Sequence, residues 1–252
     1  LRALGLLQRM ALVAIHPELD RGPLVGEGSK EQWTFANAQQ VKDPGCPKLL
    51  KVRDLILQKP DCGHLVFCDN VAVHAWLVML LVAAGFPKER IAIFNADQAP
   101  NPVRRQLLAE RFNGVAPVLD EQGNIEQEGT APQYDVVIAN ATAYEGIDLH
   151  VRTCQVYHID LPWEPATLQQ RNGRGQRQGN RYDVIDIYYI LSKRSSDMAR
   201  FQLIAGKREW MAAIIESAAS ETNNPAATPS SATPSRHPRP IAPPERSQTP
   251  QR

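Results

Sequence analysis

Between His64 and Leu191 the chain alternates short apolar runs with amphipathic stretches, and this alternation restricts its fold more than any other feature. His64-Leu-Val-Phe-Cys-Asp69, Arg90-Ile-Ala-Ile-Phe-Asn95, Tyr134-Asp-Val-Val-Ile-Ala-Asn140, Gln155-Val-Tyr-His-Ile-Asp160 and Val184 to Leu191 read as strands. They are near-continuously apolar or rich in β-branched and aromatic residues, as in strands covered on both faces. Val71 to Ala84 reads as a helix stopped by Gly85, and Pro102 to Phe112 as one with Pro at its start and Gly114 beyond its end. Pro165 opens a further helix, and Ser196 to Ile215 closes the series. Strands alternating with helices imply an α/β fold: a parallel sheet with helices on both faces. Ligands on such sheets sit beyond the carboxyl ends of the strands. Asp69, Asn70, Asn95, Asn140 and Asp160 all fall there.

The flanks differ in composition. Gly22 to Lys48 is mixed polar with Gly and Pro and reads as irregular connection; with a helical lead-in it makes up residues 1–48. The α/β region spans 49–217. From about residue 218 the chain holds eight of its twenty prolines, no aromatics, and many Ser, Thr and Ala. Such a segment buries too little apolar surface to offset its ordering entropy and is expected to be a disordered tail. Deleting residues 219–252 is therefore expected to leave the melting temperature within about two degrees; a larger drop in a thermal melt would show that the tail docks. Because the chain starts at Leu1 in what reads as mid-helix, a longer parent protein is expected.

A net charge of +1 means that any polyanion site must be a local patch. Cys46, Cys62, Cys68 and Cys154 form no C-x-x-C pair, which argues against a zinc site or a disulfide framework and fits a reducing, intracellular compartment. His64, His74 and His158 read as packed residues, and no metal ligand is assigned. The apolar run from Ala75 to Phe86 is too short to span a bilayer, so no membrane partner is expected.

The densest local charge lies in Gln170-Arg-Asn-Gly-Arg-Gly-Gln-Arg177, behind the turn Asp160-Leu-Pro-Trp-Glu-Pro165. Arg171, Arg174 and Arg177 recur every three residues, and guanidiniums so close repel one another unless an anion lies between them. Arg is also the side chain best suited to bidentate phosphate contact. Gly173 and Gly175 weaken a helix and allow close backbone approach. An exposed basic helix end explains the same residues with no function.

The order of motifs decides between these readings. Leu65-Val-Phe-Cys-Asp69, then Glu145-Gly-Ile-Asp-Leu149, then Gln170 to Arg177 resemble the fourth, fifth and sixth motifs of the second RecA-like lobe of superfamily 2 helicases. The resemblance is closer to Swi/Snf-like translocases and to related helicase-like proteins of phages and plasmids. It rests on Gln8-Arg-Met to His16-Pro17, Pro47-Lys-Leu-Leu50, Arg104 to Gly114, the Trp163-x-Pro165 turn and Asp186-Ile-Tyr-Tyr-Ile-Leu191, and covers residues 5 to 216. Asn140 stands where the family often has Thr, Glu164 replaces the Asn before Pro165, and Val115 to Gln133 reads as an inserted acidic loop with a hairpin turn at Glu121-Gln-Gly-Asn124.

The resemblance implies a RecA-like three-layer sandwich with a mostly parallel sheet, acting as the C-terminal lobe of an ATP-dependent DNA translocase. Arg174 and Arg177 would be the catalytic arginine fingers. Gln170, Arg171, Gly146 and Asp148 would contact nucleotide, and Asn70, Asn95 and Asn140 nucleic-acid phosphates. Asp148 has a second option, accepting from a sixth-motif arginine, and Arg171 an internal salt bridge that orients its helix. ATP and Mg²⁺ would be held mainly by an N-terminal RecA-like lobe, with DNA as the other partner and a cytoplasmic or nucleoid-associated location. This chain lacks the phosphate loop and magnesium carboxylates: Gly26-Glu-Gly-Ser-Lys30 and Asp120-Glu-Gln-Gly123 resemble them only superficially. Trp163 is expected to pack under the Arg-rich helix, and Trp76 and Trp210 to be core. Two alternatives remain: a non-catalytic binding or regulatory lobe, and an RNA helicase lobe.

Overall fold

The structure, a computed structural model, describes residues 2–21, 33–120, 122–140 and 147–222. Its helices are α1 (Arg2–Ile15), α2 (Glu18–Arg21), α3 (Phe35–Ala38), α4 (Pro47–Gln58), α5 (Val71–Ala83), α6 (Pro102–Asn113), α7 (Pro165–Gly175) and α8 (Ser196–Thr222). Its strands are β1 (Gly63–Phe67), β2 (Ile91–Phe94), β3 (Val118–Leu119), β4 (Ile125–Gln127), β5 (Val136–Ala139), β6 (Thr153–His158) and β7 (Asp186–Tyr189). The five expected strands form one sheet, in the order β2-β5-β1-β6-β7, every pairing parallel. β1, β5 and β6 are buried along their whole length, which explains the unbroken apolar run of β5, while β1 and β6 also bury His64, Thr153, Gln155 and His158.

Successive residues of β1 serve opposite faces. Val66 packs with Trp76, Leu77 and Leu81 of α5 and Leu49, Val52 and Ile56 of α4. Leu65 and Phe67 pack on the other side with Ala109 and Phe112 of α6. The expected architecture, an α/β sandwich of three layers with a parallel sheet between two layers of helices, is the one observed. Contacts group residues 1–210 into one unit and 211–252 into another.

The structure corrects several local expectations. Pro47–Gln58 is a helix, although only its first residues drew notice in the sequence; Leu49, Val52, Leu55 and Ile56 are buried at helical spacing, with Pro47 in the first turn. The segment read as irregular contains α3, begun by a capping box between Thr34 and Asn37. Its end is pinned to the domain, since Trp76 Nε1 donates to Ala38 O (2.9 Å); the His16 ring lies against the same indole, tilted by 37° with centroids 4.2 Å apart. α8 continues to Thr222 rather than Ile215; the rest of the tail, and Gly26 to Lys30, lie outside the described residues. The inserted loop does form a hairpin, β3 against β4, turning at Gly123 with φ +86°. The Asp120 carboxylate accepts from the Gln122 and Asn124 amides, so it closes a turn.

At the amino ends of the parallel strands, Asp135 accepts from Arg90 Nη2 (2.7 Å) and Arg152 Nη1 (2.8 Å), tying β2, β5 and β6 together. The expectation that the cysteines are unpaired is overturned at this end of the sheet. Cys62 and Cys154 form a disulfide with Cα atoms 6.0 Å apart. They are 92 residues apart in sequence, and the parallel pairing of Gly63 with Thr153 brings them together.

Candidate functional site

The strand-end residues collect at one edge of the sheet, because β2, β5, β1 and β6 are parallel neighbours. Asp69 and Asn70 follow β1, Asn95 follows β2, Asn140 follows β5 and Asp160 follows β6. α7 is laid against this sheet by Gly175. A β-carbon there would come within 2.8 Å of Thr153 Cγ2 and 3.0 Å of Val156 Cγ2. The close approach expected of this glycine is therefore to the sheet, whereas Gly173 faces open space. Gly175→Ala is expected to destabilise the domain by about 1–3 kcal/mol through overpacking, measurable by urea denaturation, and Gly173→Ala to change stability little or favourably.

The three arginines occupy three different environments. Arg171 is fully buried. Its Nη1 donates to Asp160 Oδ1 (2.7 Å) and Asp160 O (3.1 Å), and its Nη2 to Asp69 Oδ2 (2.9 Å). The other Asp160 oxygen accepts from the Asp69 amide (2.7 Å). Burial alone raises the Asp160 carboxyl, but Arg171 and these hydrogen bonds outweigh it and hold the pKa below the ordinary aspartate value. Of the two roles open to Arg171, the geometry displays the internal salt bridge: it locks α7 to the ends of β1 and β6.

Arg174 is half-buried. It donates from Nη1 to Ile147 O (2.8 Å), while its Nε is a buried donor with no partner among the described residues. Arg177, just past the end of α7, is ion-paired with Asp148. Their side chains are 46% and 54% exposed. Thus the stretch from Ile147 to Asp148 and the end of α7 meet, and Asp148 takes the arginine-accepting option of its two. Gln170 is exposed on α7. Gly146 lies outside the described residues.

The asparagines carry local structure. Asn70 Oδ1 caps α5 by accepting from the Ala72 amide (3.0 Å). Asn95 is buried, and its Oδ1 accepts from the Asp97 and Gln98 amides. The amide of Asn140 donates to Phe94 O (3.3 Å).

Around these residues the fit is tight. His158 is buried and stacks between Phe67 and Tyr189, with its Nε2 2.7 Å from Asn172 Oδ1. Burial pushes its pKa down to about 4, so it is neutral near pH 7. Trp163 departs from expectation: it is 51% exposed and lies not under α7 but against the guanidinium of Arg200, 3.9 Å from the ring centre. Trp76 is core, as expected, and the side chain of Trp210 lies outside the described residues. Glu164 makes no side-chain cap on α7, in keeping with its poor capping chemistry.

Three ion pairs around the site were not singled out in the sequence. Asp69 and Asp160 were noted only as strand-end residues, not as partners of Arg171. Lys48, also buried, pairs with Asp197 (2.6 Å) and donates to Ile159 O (2.9 Å), tying α4 to the start of α8 behind the site. A lysine inside an apolar helix face was the available signal.

No family model matches the chain. It is 39% identical over 98 residues to the "Defense against restriction protein B" of Escherichia phage P1, a match covering 39% of this chain and 4% of that protein. The chain therefore spans a small part of that relative. Among solved structures it is similar to the C-terminal part of the Fun30 ATPase domain, at 19% identity over 62% of this chain and 44% of the other, with a TM-score of 0.48. It is also similar to the C-terminal domain of the DEAD-box protein Dbp5, at 19% identity over 65% and 78%, with a TM-score of 0.45. Among the described residues, no helix is long and apolar enough to cross a membrane.

Proposed function

We propose that this chain is the C-terminal lobe of a two-lobe ATP-dependent nucleic-acid motor, a DNA translocase of Swi/Snf-like type. The observation that carries the reading is the meeting of Arg174 and Arg177, at the end of α7, with Ile147 and Asp148 in the segment that leads into β6. The donor set suits a phosphate. Arg174 retains an unpartnered buried Nε among the described residues, and Arg177 is half-exposed. An ion pair as exposed as Arg177–Asp148 contributes at most about 1 kcal/mol, so exchanging Asp148 for a phosphate oxygen costs little. Arg171, whose Nη1 and Nη2 are taken by Asp160 and Asp69, acts instead as the positioning residue that holds α7 at the edge.

Magnesium-bound ATP, held mainly by a partner lobe outside this chain, supplies the transferable phosphoryl group. Arg174 and Arg177 contribute positive charge where negative charge is redistributed during transfer. In this reading Gln170, exposed on α7, and Gly146 contact nucleotide or the partner lobe. Asn70, Asn95 and Asn140 line the edge along which a nucleic-acid backbone would run. Of these, Asn95 Nδ2 is a buried donor with no partner among the described residues.

The test is ATP turnover by the full-length protein with and without duplex DNA. Stimulation by DNA supports the reading, and equal stimulation by RNA alone would replace DNA with RNA. The isolated chain is the control and is expected to be inactive, since it lacks the phosphate loop and magnesium carboxylates. Turnover by the isolated chain that survives loss of Arg174 would overturn the proposal.

A further inference from the structure

We infer that Cys62, His64 and Cys154, with their cysteines in the dithiol form, hold a single zinc-class metal ion at the amino end of β1 and β6. This site is separate from the arginine edge and does not depend on the function proposed above. All three residues are buried. One ligand atom from each lies within 4.8 Å of the others, and Cys62 Sγ is 3.7 Å from His64 Nε2. Tetrahedral zinc with sulfur at about 2.3 Å and nitrogen at about 2.0 Å separates neighbouring ligands by about 3.5 Å, close to that spacing.

The hydrogen bonds around His64 point the same way. Asp186 Oδ2 accepts from Gln155 Nε2 (3.2 Å), which turns Gln155 Oε1 toward Tyr157. The Tyr157 hydroxyl donates to that oxygen (2.5 Å), so its own oxygen is left to accept from His64 Nδ1 (3.2 Å). A neutral imidazole has one ring proton to place. With that proton on Nδ1, Nε2 presents a bare lone pair to Cys62 and to Lys59 O at 2.9 Å. With the proton on Nε2 the same 2.9 Å contact is a hydrogen bond to Lys59 O; a cation taking the place of that proton would lie between Nε2, Lys59 O and the sulfurs. Orientation of a ligating imidazole through its second nitrogen is the usual outer support of a metal site. Lys59 O is in place as a fourth, oxygen donor.

The charges also balance. Two thiols release two protons, and two thiolates with one divalent cation make a neutral centre, which a buried site tolerates. In the oxidised chain the same sulfurs form the Cys62–Cys154 disulfide. A phosphine reductant and one water break it: the phosphine is oxidised to its oxide with the water oxygen, and the two sulfurs take the water's protons as thiols.

The experiment uses the full 252-residue chain, reduced with a phosphine under anaerobic conditions, its folding checked by circular dichroism. Zinc content and competitive titration against a chromogenic chelator are measured, and Co²⁺ is then substituted. The expected result is one zinc per chain and a thiolate-bearing tetrahedral Co²⁺ spectrum, both retained in Cys46→Ser/Cys68→Ser. Cys62→Ser/Cys154→Ser should abolish both. Tyr157→Phe, which keeps every ligand but removes the Nδ1 acceptor, should weaken zinc by about 10–100-fold. A folded, reduced wild-type chain that takes up no zinc would overturn the inference and leave the cysteines as a disulfide staple. Unchanged affinity in both Tyr157→Phe and His64→Gln would overturn it too. If a variant fails to fold, the stoichiometry and Co²⁺ spectrum of the wild-type chain decide.

Discussion

Arg174→Ala and Arg177→Ala, made singly in the full-length protein, are each expected to lower nucleic-acid-stimulated ATP turnover by roughly 10³ to 10⁵, equivalent to about 4–7 kcal/mol of transition-state stabilisation. The effect is large because a guanidinium at the transferring phosphoryl group acts mainly in the transition state, in a site from which water is excluded. The fold should survive both changes. Among the described residues, Arg177 is half-exposed and paired with a half-exposed Asp148, and Arg174 braces one backbone carbonyl. Lys at either position should rescue poorly, since it keeps the charge but loses the planar fork. Turnover, circular dichroism and a DNA titration on the same samples check the expectation. DNA affinity should persist and weaken as salt rises. Near-normal turnover in both variants would remove the arginine-finger assignment. Unfolding would make the two arginines structural.

Arg171→Ala is expected to fail in the opposite manner, through stability. Removing it leaves Asp160 buried with no guanidinium, and breaking a buried pair from one side costs about 3–5 kcal/mol. At about 2–4 °C per kcal/mol for a domain of this size, the melting temperature should fall by roughly 6–20 °C. Arg171→Lys should recover part of this, because an ammonium cannot hold both carboxylates in the same planar geometry. The pH dependence follows from Asp160. Its folded pKa is below the unfolded value, so the native state binds fewer protons than the unfolded chain across that interval. Its contribution is fully present above the unfolded aspartate pKa of about 3.9 and is lost as pH falls through the folded value. Arg171→Ala should therefore lose most stability near neutral pH and converge toward wild type in acid. Urea denaturation of both proteins from pH 7 to pH 3 tests this; a constant difference across that range would assign the loss to packing instead of charge.

These two outcomes divide a motif that looks uniform as a sequence. Arg171, Arg174 and Arg177 are one residue type at one spacing, and the charge pattern alone offers phosphate contact or a basic surface for all three. Position on the solid body separates them. Arg171 points from α7 into the junction of β1 and β6, where Asp69 and Asp160 wait. Arg177 lies past the helix end, where the chain has already turned outward.

The sheet was legible in the sequence because burial on both faces forces near-continuous apolar runs, and the punctuating residues have local causes. Gly85 and Gly114 adopt positive φ, and Pro102 and Pro165 occupy first turns that need no amide donor. Parallel pairing followed from the helical crossovers. The strand-end positions of Asn70, Asn95, Asn140, Asp69 and Asp160 followed in turn. What those side chains hold did not, since each partner lies on a different strand or helix. Pairings between distant residues were decided only by the tertiary structure: Lys48 with Asp197, Arg171 with both aspartates, and Cys62 with Cys154. Sequence spacing carries such information when ligands sit on one turn or one helix. Here the parallel register of β1 and β6 joins segments some ninety residues apart, and a register is set by the packing of the whole sheet.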